Sequence, residues 1–235
     1  MSDSVVIIPT YNEKENIRKI LNSIFSQEEE FHVLVVDDNS PDGTAKIVKN
    51  LHKDFPERLH LKICDKKDGL GKAYLRGFEW ALKHSYTFIF EIDADLSHNP
   101  ADLIRLKKSS KEADMSIGSR YCNGVNVVNW PMQRVLLSYF ASKYVRFITG
   151  LPVHDTTAGF ICYKREALEK IIARPIHSSG YLFQIETKYR AWKKGLHIRE
   201  IPIIFTERNA GESKMTHKIL REALWGVLAL RFSKV

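Results

Sequence analysis

The sequence predicts an α/β domain with a mostly parallel central sheet flanked by helices. Short apolar runs alternate with helix-length amphipathic stretches through the first half of the chain, the pattern of βαβ units. Three of those runs stop in polar, turn-forming residues, which places their ends on one edge of a parallel sheet. No internal repeat, low-complexity tract or long linker breaks the pattern.

The elements follow in order. Residues 5–8 form the first expected strand, which runs into Pro9-Thr10-Tyr11-Asn12-Glu13. A helix over 13–26 follows, with Asn12 placed to cap it. The second strand, 32–36, leads into Asp37-Asp38-Asn39-Ser40-Pro41-Asp42-Gly43-Thr44, and Asp42 is the expected cap of a helix over 44–53. A third strand at 60–64 precedes a helix over 72–84, entered through the turn Asp68-Gly69-Leu70-Gly71. The fourth, 87–92, stops at Asp93-Ala94-Asp95, and Pro100 suits the first turn of a helix over 100–108. Strands at 115–117, near 159–163 and near 198–204 complete the sheet. The chain divides on this reading into a domain over 1–214 and an amphipathic helix over 215–235. In that helix Ile219, Leu220, Ala223, Leu224, Val227 and Leu228 recur at helical spacing beside Lys218, Arg221 and Arg231. It either packs on the domain or lies on a bilayer.

Lys and Arg number 36 against 28 Asp and Glu, a formal charge of +8 that calls for an anionic partner. Charge alone does not choose among nucleic acid, phosphorylated small molecules and an acidic membrane. No RRM, KH or helix-turn-helix signature supports nucleic acid. The three cysteines have no CxxC pairing, which argues against zinc or a disulfide framework and for a reducing compartment. The N-terminus has no signal-peptide pattern and no apolar run of spanning length occurs, so the expectation is a cytoplasmic protein, free or peripherally bound to the cytosolic face of a membrane. Residues 115–154 contain no Asp or Glu, yet carry Arg120, Arg134, Lys143 and Arg146 among Trp130, Tyr139, Phe140, Tyr144 and Phe147. Cations interleaved with rings suit an interfacial membrane helix; a buried core helix with solvated charges is the competing reading.

Asp93-Ala94-Asp95 closes the apolar strand 87–92 with two carboxylates at the ligand edge of the sheet. Such a pair can hold one hard divalent cation, Mg²⁺ or Mn²⁺, against the phosphates of a nucleotide; alone, it is equally a solvated turn. Tyr11 offers a face for a base, and Glu13 or Asp38 can accept hydrogen bonds from base or ribose. Asp68-Gly69-Leu70-Gly71-Lys72 is not a phosphate loop, since it lacks the GxxxxGK[ST] spacing. The histidines show no metal-ligand spacing, and His98 reads as a turn residue.

Taken together, PTYNE, VVDDNSPDGT, the D-A-D turn and GSRY resemble the inverting GT-A glycosyltransferases of family 2. Asn129-Trp130-Pro131 with Arg134 and Ser138, Asp155-Thr156-Thr157-Ala158-Gly159-Phe160, and Arg208 with Gly211-Glu212-Ser213-Lys214 are most similar to the polyprenol-phosphate (dolichol-phosphate) mannose synthases. The resemblance covers nearly the whole chain and implies a GT-A nucleotide-diphospho-sugar transferase fold. It implies a donor, GDP-mannose, held by Pro9, Tyr11, Glu13, Val36 and Asp38, with Asp93, Ala94 and Asp95 at the diphosphate and metal. Ser97 would be a further metal ligand, and Arg208 and Lys214 would close over the donor. Arg120, Arg134 and Ser138 would receive the phosphate of a polyprenyl (dolichyl-type) acceptor, so Asp93, Asp95, Arg120 and Arg134 would carry the chemistry. An acceptor phosphate oxygen is already anionic, so no general base is expected, and Asp155 either lies near the sugar or serves the structure. The processive-synthase signature QxxRW is absent: Gln133-Arg134 continues as Val135-Leu136-Leu137. Two other readings stay open: a family 2 enzyme using UDP-glucose or a saccharide acceptor, and a non-catalytic basic module. A membrane-protein partner cannot be named from the sequence.

Overall fold

The computed structural model describes the backbone of residues 2–207 and 217–233, and side chains of 2–207 and 224–233. Arg208 and Lys214, expected to close over the donor, and the domain boundary at 214 lie outside the described residues. The strands are β1 (Ser4–Thr10), β2 (His32–Asp37), β3 (Leu59–Ile63), β4 (Phe88–Glu91), β5 (Met115–Ser119), β6 (Val127–Val128), β7 (Ile161–Lys164), β8 (Ile198–Pro202) and β9 (Phe205–Thr206). The helices are α1 (Ile17–Phe25), α2 (Thr44–His52), α3 (Leu70–Leu82), α4 (Asp102–Ser110), α5 (Met132–Thr149), α6 (Arg165–Ile172), α7 (Gly180–Lys193) and α8 (His217–Phe232).

Seven strands form one sheet in the order β3-β2-β1-β4-β7-β5-β8, and β6 and β9 form a small parallel pair. Strands β1 to β4 run parallel, β5 runs parallel to β8, and β7 is inserted antiparallel between β4 and β5. The apolar runs are unbroken because helices cover both faces of the sheet. Val5 and Ile7 of β1 enter the core shared with α3, α6 and α7, while Val6 and Ile8 enter the one shared with α1, α2 and α4. Gly77 lets α3 lie against β1: a Cβ there would stand 2.5 Å from Ile7 Cγ2.

Three local expectations need correction. Asn12 does not cap α1; it sits in the left-handed region (φ 60°), and Asn16 occupies the cap position four residues on. Gly43 takes the cap position of α2, although Asp42 Oδ1 does accept the Thr44 N–H at 2.9 Å. Helix α4 starts at Asp102, after Pro100. Helices α6 and α7 and strands β6 and β9 were not foreseen. In α7 every residue from Phe183 to Ala191 is buried, including Gln184, Glu186, Lys188 and Arg190, so no amphipathic stripe advertises it.

Helix α5 is not a core helix. It buries only Ser142, Val145 and Thr149, and leaves Met132, Leu136, Leu137, Phe140 and Phe147 exposed. Helix α8 packs Val227 and Leu230 against Val145, Ile185 and Tyr189, with Trp225 and Phe232 exposed. Among the described residues, no helix is long and apolar enough to cross a membrane.

Candidate active site

The chain reverses its direction of growth across the sheet at β1, with β2 and β3 on one side and β4 on the other. Such a switch point opens a crevice at the carboxyl ends of the strands. The loops leaving β1, β2 and β4 each hold a non-glycine residue in the left-handed region: Asn12 (φ 60°), Asn39 (φ 59°) and Leu96 (φ 60°). For Leu96 this conformation is strained, and it turns the chain sharply after Asp93-Ala94-Asp95.

The first two loops are tied together by Asp37. It accepts Thr10 Oγ1 at 2.7 Å, Ser40 N–H at 2.8 Å and Ser40 Oγ at 2.7 Å, and is fully buried. The next residue, Asp38, accepts the Asp68 N–H at 3.2 Å and faces Arg76 Nη1 at 3.4 Å. Arg76 also pairs with Asp68, so one guanidinium fixes two carboxylates at the mouth of the crevice. Glu13 anchors through its N–H on Thr44 Oγ1 (3.0 Å) and accepts Asn16 Nδ2 at 2.9 Å. The Lys67 ammonium lies 3.9 Å above the Tyr11 ring. Pro9 stands opposite Val36 in the β1–β2 register. The Val36 side chain is fully buried in the core, so only its backbone remains for a ligand.

Behind the D-A-D turn lies a buried polar layer. Tyr74 O–H donates to Asp93 Oδ1 at 3.4 Å. Glu91, fully buried, accepts Tyr163 O–H at 2.9 Å and Gln184 Nε2 at 2.8 Å. The Lys188 ammonium donates to the carbonyls of Ala158 (2.7 Å) and Gln184 (2.9 Å). Gly159 brings the loop after Asp155 close to the turn: a Cβ there would be 3.8 Å from Asp93 Oδ2. Burial, together with the charges of Asp95 and Glu91, pushes the Asp93 carboxyl up to about 7. Crowded carboxylates of this kind repel one another, and a divalent cation relieves the repulsion. The oxygen-only donors Asp93 and Asp95 therefore fit Mg²⁺ or Mn²⁺. No group of three or more His, Cys, Asp or Glu gathers among the described residues.

Ser97 is buried; its N–H donates to Asp95 Oδ1 at 3.1 Å and its hydroxyl lies 3.4 Å from His98 Nδ1. His98 lies in the bend after the D-A-D turn, as expected, and is buried there. It packs between Phe160 and Phe205, with ring centroids 5.1 and 5.0 Å away, and burial pushes its pKa down to about 4. The ring is therefore neutral near pH 7.

The basic half of the site is built differently. Arg120 is buried and gripped by Asp155: Nε donates to Oδ2 at 2.7 Å, Nη2 to Oδ1 at 2.6 Å and the backbone N–H to Oδ2 at 2.9 Å. Nη2 also reaches Thr157 Oγ1 at 2.9 Å. Burial by itself would raise the Asp155 carboxyl, but the guanidinium holds it below the usual carboxylate range. Asp155 thus has a definite duty as the counterion of Arg120. Arg134, in the first turn of α5, stacks on Trp130 at 4.1 Å and pairs with Glu207, Nη1 to Oε1 at 2.6 Å. Ser138 follows one turn later on the same helix.

The structure thus gathers Pro9, Tyr11, Glu13, Val36 and Asp38 at the β1 and β2 ends, with Asp93, Ala94, Asp95 and Ser97 at the end of β4. Arg120, Arg134 and Ser138 belong to the segment after β5. Arg76, Tyr74, Glu91, Gln184, Lys188 and Glu207 were missed. A usable signal existed for Gln184 and Lys188: polar residues set among Phe183, Ile185, Tyr189 and Ala191 mark a helix whose polar groups are satisfied inside the protein.

Residues 5–172 match the family model described as Glycosyl transferase family 2. The chain is 46% identical over 230 residues to a polyprenol monophosphomannose synthase of Mycolicibacterium smegmatis, covering 95% of this chain and 87% of that one. It is 42% identical over 230 residues to an undecaprenyl-phosphate mannosyltransferase of Micrococcus luteus, covering 96% and 94%. Among solved structures it is similar to glucosyl-3-phosphoglycerate synthase from Mycobacterium tuberculosis in complex with Mn²⁺, UDP and glucosyl-3-phosphoglycerate. The TM-score is 0.66 at 15% identity, over 96% of this chain and 78% of the other. A mannosyltransferase from Pyrobaculum calidifontis, in complex with GDP-Man and Mn²⁺, gives a TM-score of 0.60 at 19% identity, over 98% and 70%. At those identities the structural likeness establishes the GT-A fold alone.

Proposed function

The chain belongs to glycosyl transferase family 2, and on that premise we propose that it transfers mannose from GDP-mannose to a polyprenyl phosphate with inversion. The observation that carries this reading is the near-full-length likeness to two relatives named for mannosyl transfer to polyprenol-type phosphates. The donor's base and ribose take the β1 and β2 ends, Pro9, Tyr11, Glu13, the Val36 backbone and Asp38. Asp93 and Asp95, with Ser97 beside them, hold Mg²⁺ or Mn²⁺, which neutralises charge on the diphosphate.

The remaining chemistry belongs to the chain itself. Arg134 and Ser138 receive the acceptor phosphate, and Arg120, its fork fixed by Asp155, presents its guanidinium beside Tyr121 and Trp130. A phosphate oxygen of the acceptor attacks the anomeric carbon in line; the new C–O bond forms as the bond to GDP breaks, and the β-linked product results. That oxygen is already anionic, so no proton needs removing. Holding two anions in reacting distance is the main task, and it falls to the arginines.

An acceptor of this kind resides in a membrane, and α5 supplies a face for one. Met132, Leu136, Phe140, Lys143 and Phe147 recur at helical spacing and are all exposed. Trp225 and Phe232 of α8 add two more exposed rings. On this reading the protein is cytoplasmic and docks peripherally on the cytosolic face of an anionic membrane, its rings entering the headgroup layer. The reaction is tested by a transfer assay with labelled GDP-mannose, polyprenyl phosphate and Mn²⁺ or Mg²⁺, run beside UDP-glucose. Transfer from UDP-glucose alone would overturn the donor assignment.

A further inference from the structure

The carboxylate on Arg134 comes from a distant part of the chain. Residues 115–154 contribute no acid, and the partner is Glu207, directly after β9, with its N–H bonded to the Val128 carbonyl at 3.0 Å. The two arginines of this half are therefore neutralised in contrasting ways. Asp155 is fully enclosed and holds Arg120 through backbone and side chain together. Glu207 keeps 31% of its side-chain surface in solvent and meets Arg134 through Nη1 at 2.6 Å. A buried, multiply bonded carboxylate is a permanent partner, whereas a part-exposed pair exchanges readily for another anion. Carboxylate and phosphate oxygens suit the same face of a guanidinium. Arg134 is also pinned over Trp130, so its position does not depend on Glu207 alone.

Two enclosed donors lie beside this pair. Trp130 Nε1 has no hydrogen-bond partner, and Tyr121 Oη stands against the Ser138 side chain. Tyr121 is 6% exposed and lies beside Ser138, with the Arg120 guanidinium 5.2 Å from its ring. Trp130 lies between Arg134 at 4.1 Å and Arg120 at 5.6 Å. An enclosed donor without an acceptor, such as Trp130 Nε1, is rare in folded proteins and calls for an explanation. Trp130 and Tyr121 flank the two cations, where an anion with several acceptor oxygens would accept from both.

We propose that the acceptor phosphate binds by displacing the Glu207 carboxylate from Arg134 and then accepts hydrogen bonds from Tyr121 Oη and Trp130 Nε1. The inference rests on the reading of Arg134 as the receiver of the acceptor phosphate. Glu207 is a positioning residue: it occupies the anion's place on Arg134 in the free protein and keeps the guanidinium paired until the acceptor arrives. Removing its charge favours the acceptor, and removing the Tyr121 hydroxyl disfavours it.

The test is steady-state kinetics of Glu207→Gln and Tyr121→Phe with polyprenyl phosphate and GDP-mannose varied separately. Glu207→Gln is expected to lower the acceptor KM several-fold and to leave the donor KM unchanged. Tyr121→Phe is expected to raise the acceptor KM about tenfold, the scale of one hydrogen bond to a charged group. An acceptor KM that rises or stays constant in Glu207→Gln, or stays constant in Tyr121→Phe, overturns the proposal. Wild-type protein with no transfer at all defeats the reaction reading instead, and the exchange is then decided by inorganic phosphate titrated against tryptophan fluorescence, with Trp130→Phe as the control. Tighter phosphate binding by Glu207→Gln supports the exchange, and equal or weaker binding overturns it.

Discussion

The Asp93 carboxyl is crowded by two others, Asp95 and Glu91. It rises from the ordinary 3.8 to about 7 through burial and the neighbouring Asp95 and Glu91, and burial raises Glu91 in the same direction. The folded state thus holds these protons more tightly than the unfolded chain does. The stability this contributes is full below about pH 4 and is lost as the pH rises through about 7. Urea unfolding in EDTA should show the metal-free protein weakening over that window, with a shallower slope in Asp93→Asn; an unchanged slope would refute the assignment. Mn²⁺ should raise Tm more at pH 8 than at pH 5.5, because the cation needs the ionised carboxylate. Asp95→Asn should reduce transfer at least about a hundredfold, the scale of removing a main electrostatic stabiliser. Asp155→Asn should cost about 3–5 kcal/mol of stability by leaving Arg120 buried without its counterion, as chemical denaturation would measure. The places of Asp93, Asp95 and Asp38 at strand ends were legible because short polar motifs end apolar strands. Arg76 and Glu207 were not, because each finds its partner only through the fold: Asp38 lies 38 residues from Arg76, and Arg134 lies 73 from Glu207.

Among the elements, the sheet strands were readable because helices on both faces demand uninterrupted apolar runs. Helix α7 was hidden for a related reason: it is buried all round, so no polar face reveals its period. Its Lys188 grips the Ala158 carbonyl of the loop that passes Asp93, which links α7 to the site through the backbone. The packing of α3 on β1 depends on Gly77, and Gly77→Ala should lower stability by about 1–3 kcal/mol by forcing a Cβ into Ile7. The α5 stripe makes the opposite prediction. Phe140→Ser with Phe147→Ser should leave Tm within a degree or two, since both rings are exposed, but should sharply reduce flotation with anionic liposomes. Undiminished flotation would move the docking surface elsewhere.

For the molecule as a whole, the parallel strands bring acidic loops from β1, β2 and β4 to one edge, while the basic segment after β5 supplies Arg120 and Arg134. Each half suits one partner in the reaction: the carboxylates a cation and diphosphate, the arginines a second anion. The division was visible in the sequence as an acid-free stretch of residues 115–154 following an acidic turn. The counterions Asp155 and Glu207 were not assigned to it, since both lie outside the stretch and reach the arginines only in the folded chain. On the proposed reading the two halves together move mannose onto a lipid phosphate. The most direct test of that reading is transfer of labelled mannose from GDP-mannose to polyprenyl phosphate in liposomes, with Mn²⁺, comparing wild type with Asp95→Asn and Arg134→Ala. Wild type should yield labelled, β-linked mannosyl lipid, and either variant almost none. Wild type that yields no mannosyl lipid, or equal product from the variants, would contradict it.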